Sequence, residues 1–219
     1  MKTYGLLLGS LVFLTLASPG SAATIWDNGS PDLVNGTYSD FAFAQQEGDA
    51  FSVALAQTAN QIQWWGGYGQ TVAPPDNFTI RFFSVTVGVP ATAPLFSYTP
   101  VVSRTDTGVD LFGYDLFLYS ATIPDTLFGP GDYLLSIVNN TSPLPPGDYW
   151  YWASSAQTGT SWSRQLDGQP WNSIEGEFAF KILGPNGNGT GVPESGTGAL
   201  LFGFGLAGLF FVQRRLQIA

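Results

Sequence analysis

Tryptophan and tyrosine are the residues through which this 219-residue chain could act on a partner, and the chemistry they offer is stacking. Trp26, Trp64, Trp65, Tyr68, Tyr149, Trp150, Tyr151, Trp152, Trp162 and Trp171 all fall between positions 24 and 183. A flat aromatic face packs on the C–H face of a sugar ring while neighbouring Asn, Asp and Gln hold its hydroxyls. Core packing, with the polar atoms tied to turns, is what most aromatic rings do. Successive residues of a strand point to opposite faces, so one of Trp64 and Trp65 is expected inside and the other outside. The same parity runs along Tyr149–Trp152. Trp65, Tyr68, Trp150 and Trp152 are the expected glycan-binding platform, with Gly66-Gly67 leaving room for close approach of a ligand or another strand.

Histidine and cysteine are absent. Thiolate nucleophiles, disulfides, His-based triads and His- or Cys-ligated metals go with them. Carboxylates remain. Asp106, Asp110 and Asp115 crowd one segment, and Asp125 and Asp132 flank another. A glycosidase needs two carboxylates a few ångström apart across a cleft, but Asp is also an ordinary turn residue. No catalytic residue is assigned, and the chain reads as a non-enzyme; a secreted carboxylate-dependent glycan hydrolase is an alternative. Calcium is the metal that oxygen ligands alone can hold. Asp27-Asn28-Gly29-Ser30-Pro31-Asp32 and Asp106-Thr107-Gly108-Val109-Asp110 read as turns rather than calcium loops, and no metal or cofactor is assigned. Sixteen acidic against seven basic side chains give a formal charge of −9. Without a basic surface to neutralise phosphates, a nucleic-acid partner is excluded.

The elements that must position these groups are strands. Asn77–Phe82 alternates apolar and polar; Phe51, Val53 and Leu55 share one face, as do Tyr133, Leu135 and Ile137, and Phe178, Phe180 and Ile182. Such period-two patterning predicts β structure. Leu111–Ser120 reads as one long strand with a bulge at Gly113. Pro74-Pro75-Asp76-Asn77, Gly129-Pro130-Gly131-Asp132, Asn139-Asn140 and Pro145-Pro146-Gly147-Asp148 punctuate the runs. Eight to eleven short strands between such turns predict an all-β antiparallel sandwich or jelly roll over 24–183.

The two ends read as addresses. Met1–Ala23 carries one Lys, an apolar run and a small-residue cleavage region, the pattern of a signal peptide. A Gly/Asn-rich linker fills 184–191. Beyond it come Val192-Pro193-Glu194-Ser195, an uncharged apolar stretch over 196–213 and Arg214-Arg215. About 18 residues at 1.5 Å each just cross a thin hydrocarbon layer, with the Arg pair on the cytoplasmic side. This order over 192–219 resembles the PEP-CTERM sorting signal of bacterial surface proteins, although Ser195 stands where that motif has its second Pro. The resemblance implies an exosortase-type partner that reads Val192, Pro193, Glu194, Arg214 and Arg215, with cleavage near Pro193-Glu194. The segments Ile62–Tyr68, Asp76–Phe82, Tyr133–Asn140 and Phe178–Ile182 also resemble a secreted bacterial β-sandwich module of unsettled function. The family association implies an exported matrix or cell-surface protein, membrane-held through its C-terminal helix before processing, with extracellular polysaccharide as partner. A structural matrix protein without a ligand is the other reading.

Overall fold

The computed structural model describes residues 22–69, 76–142 and 147–185. The expected signal helix, the transmembrane helix over 196–213 and the sorting residues Val192, Pro193, Glu194, Arg214 and Arg215 lie outside the described residues. Among the described residues no helix is long and apolar enough to cross a membrane. The domain is all β. Its strands are β1 (Ala23–Asp27), β2 (Pro31–Tyr38), β3 (Gln46–Val53), β4 (Gln57–Tyr68), β5 (Thr79–Thr86), β6 (Val89–Pro90), β7 (Phe96–Tyr98), β8 (Val102–Leu111), β9 (Tyr114–Phe128), β10 (Gly131–Val138), β11 (Trp150–Ser155), β12 (Thr160–Arg164), β13 (Asn172–Glu175) and β14 (Phe180–Gly184), with one 3-10 turn at Phe41–Phe43. This exceeds the eight to eleven expected, because pairs as short as β6 and β7 carry too few residues to show a period.

Among the described residues the strands form two antiparallel seven-stranded sheets. In the first, β4 is central. Its one edge pairs with β9, which pairs in turn with β8. Its other edge is shared by β14 along Gln61–Trp64 and β11 along Gly66–Tyr68. Beyond these lie β1 and β2. The second sheet runs β13-β12-β3-β10-β5, with β6 and β7 on the far side of β5.

The inner faces meet in one core. Ile62, Trp64 and Tyr68 of β4, Trp150 and Trp152 of β11, and Phe180 and Ile182 of β14 face Phe51, Phe82, Leu135 and Ile137 of the second sheet. Burying each such aliphatic or Phe side chain contributes roughly 1.5–3 kcal/mol. Each sheet also carries a small outward cluster. Leu111, Leu116, Tyr151 and Ala153, with Trp65, cover the first sheet. Phe83, Leu134 and Trp171, with Val85 and Trp162, cover the second.

Two expected strand features differ. Leu55 is 73% exposed, because β3 ends at Val53 and the chain has already turned toward β4. Gly113 is no bulge: it forms the β8–β9 hairpin turn with Phe112, both at positive φ (81° and 59°). The irregular register lies instead between Asp106 and Asp110, where Gly108 has φ 71°.

One buried carboxylate fixes the end of the molecule where β11 begins. Asp40 accepts from the backbone N–H groups of Ala42 (2.9 Å), Thr141 (3.2 Å) and Trp150 (3.1 Å), and from the Thr141 hydroxyl (2.9 Å). Hydrogen bonds to a charged acceptor are the stronger kind. They tie the β2–β3 crossing, the end of β10 and the start of β11 together, which sets the phase of Trp150–Trp152. Ala23 pairs with Gly184 at the other end. At about 3.3 Å per residue, the β8–β9 turn stands more than roughly 20 Å from that pair.

Candidate functional site

Trp150 and Trp152 point inward, so Tyr151 between them points out. Its ring finds space because its neighbours lack side chains. A Cβ on Gly67 would lie 2.5 Å from the Tyr151 hydroxyl, and one on Gly36 would lie 3.1 Å from the ring. The ring can therefore lie along the outer face of the first sheet, across β4 and β2. The β8–β9 hairpin reaches over the same face and buries Leu111 to 1% exposure. Phe112, at the tip of that hairpin, meets Tyr151 edge-on at 5.5 Å.

Between the hairpin and β2 a groove of about 310 Å³ remains, lined by Gly36, Tyr38, Gly69, Phe112, Tyr114 and Tyr151. Tyr38 continues the aromatic strip, with its ring 4.8 Å from Phe43 and 5.8 Å from Tyr149. Asp110 and Asp115 are exposed and pair directly across the hairpin. Burial, reinforced by these two carboxylates, pushes the Tyr151 hydroxyl pKa above its ordinary value, so it remains a donor at neutral pH. The arrangement offers exposed ring faces, a buried aromatic floor and acceptor oxygens at the rim. Hydroxyl-bearing rings fit that combination by stacking and hydrogen bonding.

The expected platform does not form as such. Tyr68, Trp150 and Trp152 are 1%, 0% and 0% exposed and stack on nothing from solvent. The Tyr68 hydroxyl donates to Asp76 (2.7 Å) and accepts from Asn139 (2.8 Å). Trp152 stacks on Phe178 at 4.8 Å and donates its indole N–H to the Ala179 carbonyl. Trp150 meets Phe78 edge-on at 5.0 Å. Trp65 alone of the four lies on the outer face, half-buried against the cluster that holds Tyr151.

The carboxylates considered for hydrolysis fall into two separate groups, and in the first Asp110 and Asp115 are cross-strand partners. Asp106, Asp110 and Asp115 lie on the β8–β9 hairpin; Asp125 bonds Asn60 and Asp132 bonds Ser52 at the opposite end of the molecule. Asp32 accepts from Val34 and Asn35, and Asp106 from Gly108, as turn residues do. Among the described residues no group of three or more acidic side chains could hold a metal ion.

Tyr38, Phe112 and Tyr114 were not singled out in the sequence. The signals for them were present: a glycine at position 36 inside a strand, and an aromatic-glycine pair, Phe112-Gly113, able to form a two-residue turn. Comparison with protein-family models, curated proteins and solved structures finds no match.

Proposed function

We propose that this chain is an exported, surface-sorted, non-enzymatic matrix or cell-surface protein that binds extracellular polysaccharide through the groove lined by Tyr38, Phe112, Tyr114 and Tyr151. The two sheets in this reading are a β-sandwich of jelly-roll type. A cleaved signal helix precedes them, and a C-terminal transmembrane helix follows until an exosortase-type enzyme cuts near Pro193-Glu194. The observation that carries the binding reading is Phe112. It is 56% exposed and held at φ 59°, a backbone conformation that costs an L side chain roughly 1–2 kcal/mol. What supports contact with a partner is that this exposed ring lines the groove beside Tyr38, Tyr114 and Tyr151.

Affinity electrophoresis of protein recovered from its host, in gels containing the host's polysaccharide, tests this. The wild type should be retarded, and Tyr38→Ala with Phe112→Ala should lose at least about tenfold in affinity, the scale of one base-type stacking contact, without loss of melting temperature. Unchanged retardation in the double variant would remove the groove from the binding surface. The intact mass of the same preparation reports whether the chain ends near Glu194.

A further inference from the structure

Four basic side chains, Arg81, Arg104, Arg164 and Lys181, stand against fifteen acidic ones between 24 and 192. Two of the four converge on the outer face of the second sheet. Arg81 of β5 holds Asp167 through both nitrogens, at 2.6 and 3.1 Å, and Arg164 of β12 reaches the same carboxylate at 3.1 Å. Both guanidinium groups are held in place from behind. Gln46 accepts from Arg81 (3.3 Å) and from Arg164 (3.1 Å), and the Thr92 carbonyl accepts from Arg164 (2.8 Å). Arg164 lies over the rings of Trp171 (4.3 Å) and Phe83 (5.0 Å), and its side chain is 1% exposed. Trp171 is itself tied to the Ala91 carbonyl through its indole N–H.

The carboxylate is the exposed member of this set. Its side chain is 58% exposed and stands in the loop between β12 and β13. The next residue, Gly168, has φ 79°, with no atom within 4 Å of where its Cβ would be. One negative charge faces two preorganised positive ones. Burial lowers the Arg164 pKa from its ordinary value; Asp167 opposes that shift and Arg81 adds to it. Beside the pair opens a cleft of about 340 Å³, walled by Thr92, Ala93, Pro94 and Ser97. Planar forked donors select a carboxylate bidentately. An Ala-Pro strip flanked by hydroxyl residues suits the C–H face and hydroxyls of a six-membered ring.

We propose that Arg81 and Arg164 form a binding site for the carboxylate of an acidic sugar, a hexuronate, and that Asp167 occupies it as an internal competitor until the sugar displaces it. The site is separate from the aromatic groove and stands or falls without it.

The test is a titration of the ¹⁵N-labelled full chain in neutral detergent, followed at the Trp171 indole N–H. The ligands are sodium galacturonate, galactose, and a tri-aspartate peptide at matched sodium concentration. Galacturonate should shift the resonance and galactose should not. Asp167→Asn removes an exposed competitor and should tighten galacturonate binding by about tenfold, as expected for loss of a tethered rival. Arg81→Gln should abolish binding, and Arg81→Lys should restore only part of it, because Lys lacks the fork. Failure of Asp167→Asn to bind galacturonate overturns the site whatever the Arg81 variants do. Tighter binding of the peptide than of galacturonate overturns the sugar assignment.

Discussion

The two sheets present opposite chemistry. Outward, the first sheet offers rings and glycines: Tyr38, Phe112, Tyr114 and Tyr151 around Gly36 and Gly67. The second offers ions: Arg81, Arg164 and Asp167 over Phe83 and Trp171. Inward the division persists. The first sheet supplies Trp64, Trp150 and Trp152 to the core, whereas β3 of the second buries Glu47 and Asp49 completely. Stacking depends weakly on salt and pH, while exposed ion pairs are screened within about 10 Å at 0.1 M salt. Binding at the groove should thus be indifferent to ionic strength and binding at the arginine cleft sensitive to it. On β3 of the second sheet, burial raises the pKa of both Glu47 and Asp49.

The largest effect expected from this division is in stability against pH. Glu47 accepts from Gln45 (2.5 Å) and Ser163 (2.9 Å), yet burial outweighs these bonds and raises its pKa from 4.5 to about 7. Asp49 moves in the same direction, through burial and the adjacent Glu177, which shares with it the Asn28 amide. Between pH 4.5 and about 7 the folded chain keeps the Glu47 proton that the unfolded chain has released. Stability must therefore fall as pH rises through that window, by up to roughly 3 kcal/mol for this group, and level off above it. Chemical denaturation at pH 5 and pH 8 should show the loss in the wild type and a smaller one in Glu47→Gln. Equal losses in the two proteins would assign the proton uptake to another group.

A smaller effect should separate the outer faces. In Gly67→Ala the new methyl meets the Tyr151 hydroxyl at 2.5 Å and the Asp115 carbonyl oxygen at 2.6 Å. One of the two is backbone, so the ring must move. Overpacking of this kind costs about 2 kcal/mol. Polysaccharide retention should weaken together with melting temperature, while galacturonate binding at the cleft is unchanged. Wild-type retention in Gly67→Ala would mean that the position of the Tyr151 ring is irrelevant to the groove.

Much of the β architecture was legible, because a half-buried strand must alternate. Phe178, Phe180 and Ile182 do enter the core together, as do Tyr133, Leu135 and Ile137, and Trp64 and Trp65 do point opposite ways. Alternation says which residues share a face, not which face is inside. Along Tyr149–Trp152 both parities are aromatic, and both faces of β11 are covered: the inner by the second sheet, the outer by Leu111 from the hairpin. The choice of Trp150 and Trp152 as exposed rings failed for that reason. The arginine cleft had only the Arg164–Asp167 spacing as a local signal. Asp167 follows Arg164 by three residues, but Arg81 is a single basic residue on another strand, and only the sheet order β12-β3-β10-β5 brings it to the same carboxylate. Asp40 had no signal in the sequence: Ala42 is its local donor, but its other three bonds come from Thr141 and Trp150, 101 and 110 residues away.

The smallest effect sharpens the comparison most, because each sheet carries the same strained turn. Phe112-Gly113 joins β8 to β9 with φ of 59° and 81°, and Val87-Gly88 joins β5 to β6 with φ of 51° and 72°. Both are two-residue hairpin turns with positive φ at each central residue, where Asn-Gly is the preferred pair. Val87 is 97% exposed and touches neither site. Replacing either residue by Asn relieves the left-handed strain and should raise stability by about 1 kcal/mol, or roughly 2–4 °C in melting temperature for a domain of this size. At Phe112 the gain is partly offset by the lost edge contact with Tyr151, so Val87→Asn should be the more stabilising. The functional consequences should diverge. Val87→Asn should leave polysaccharide retention and galacturonate binding as they were, whereas Phe112→Asn should weaken retention alone. If Phe112→Asn is stabilised and still retained, the exposed ring is not a ligand contact, and the strain at that turn has no more functional meaning than the strain at Val87.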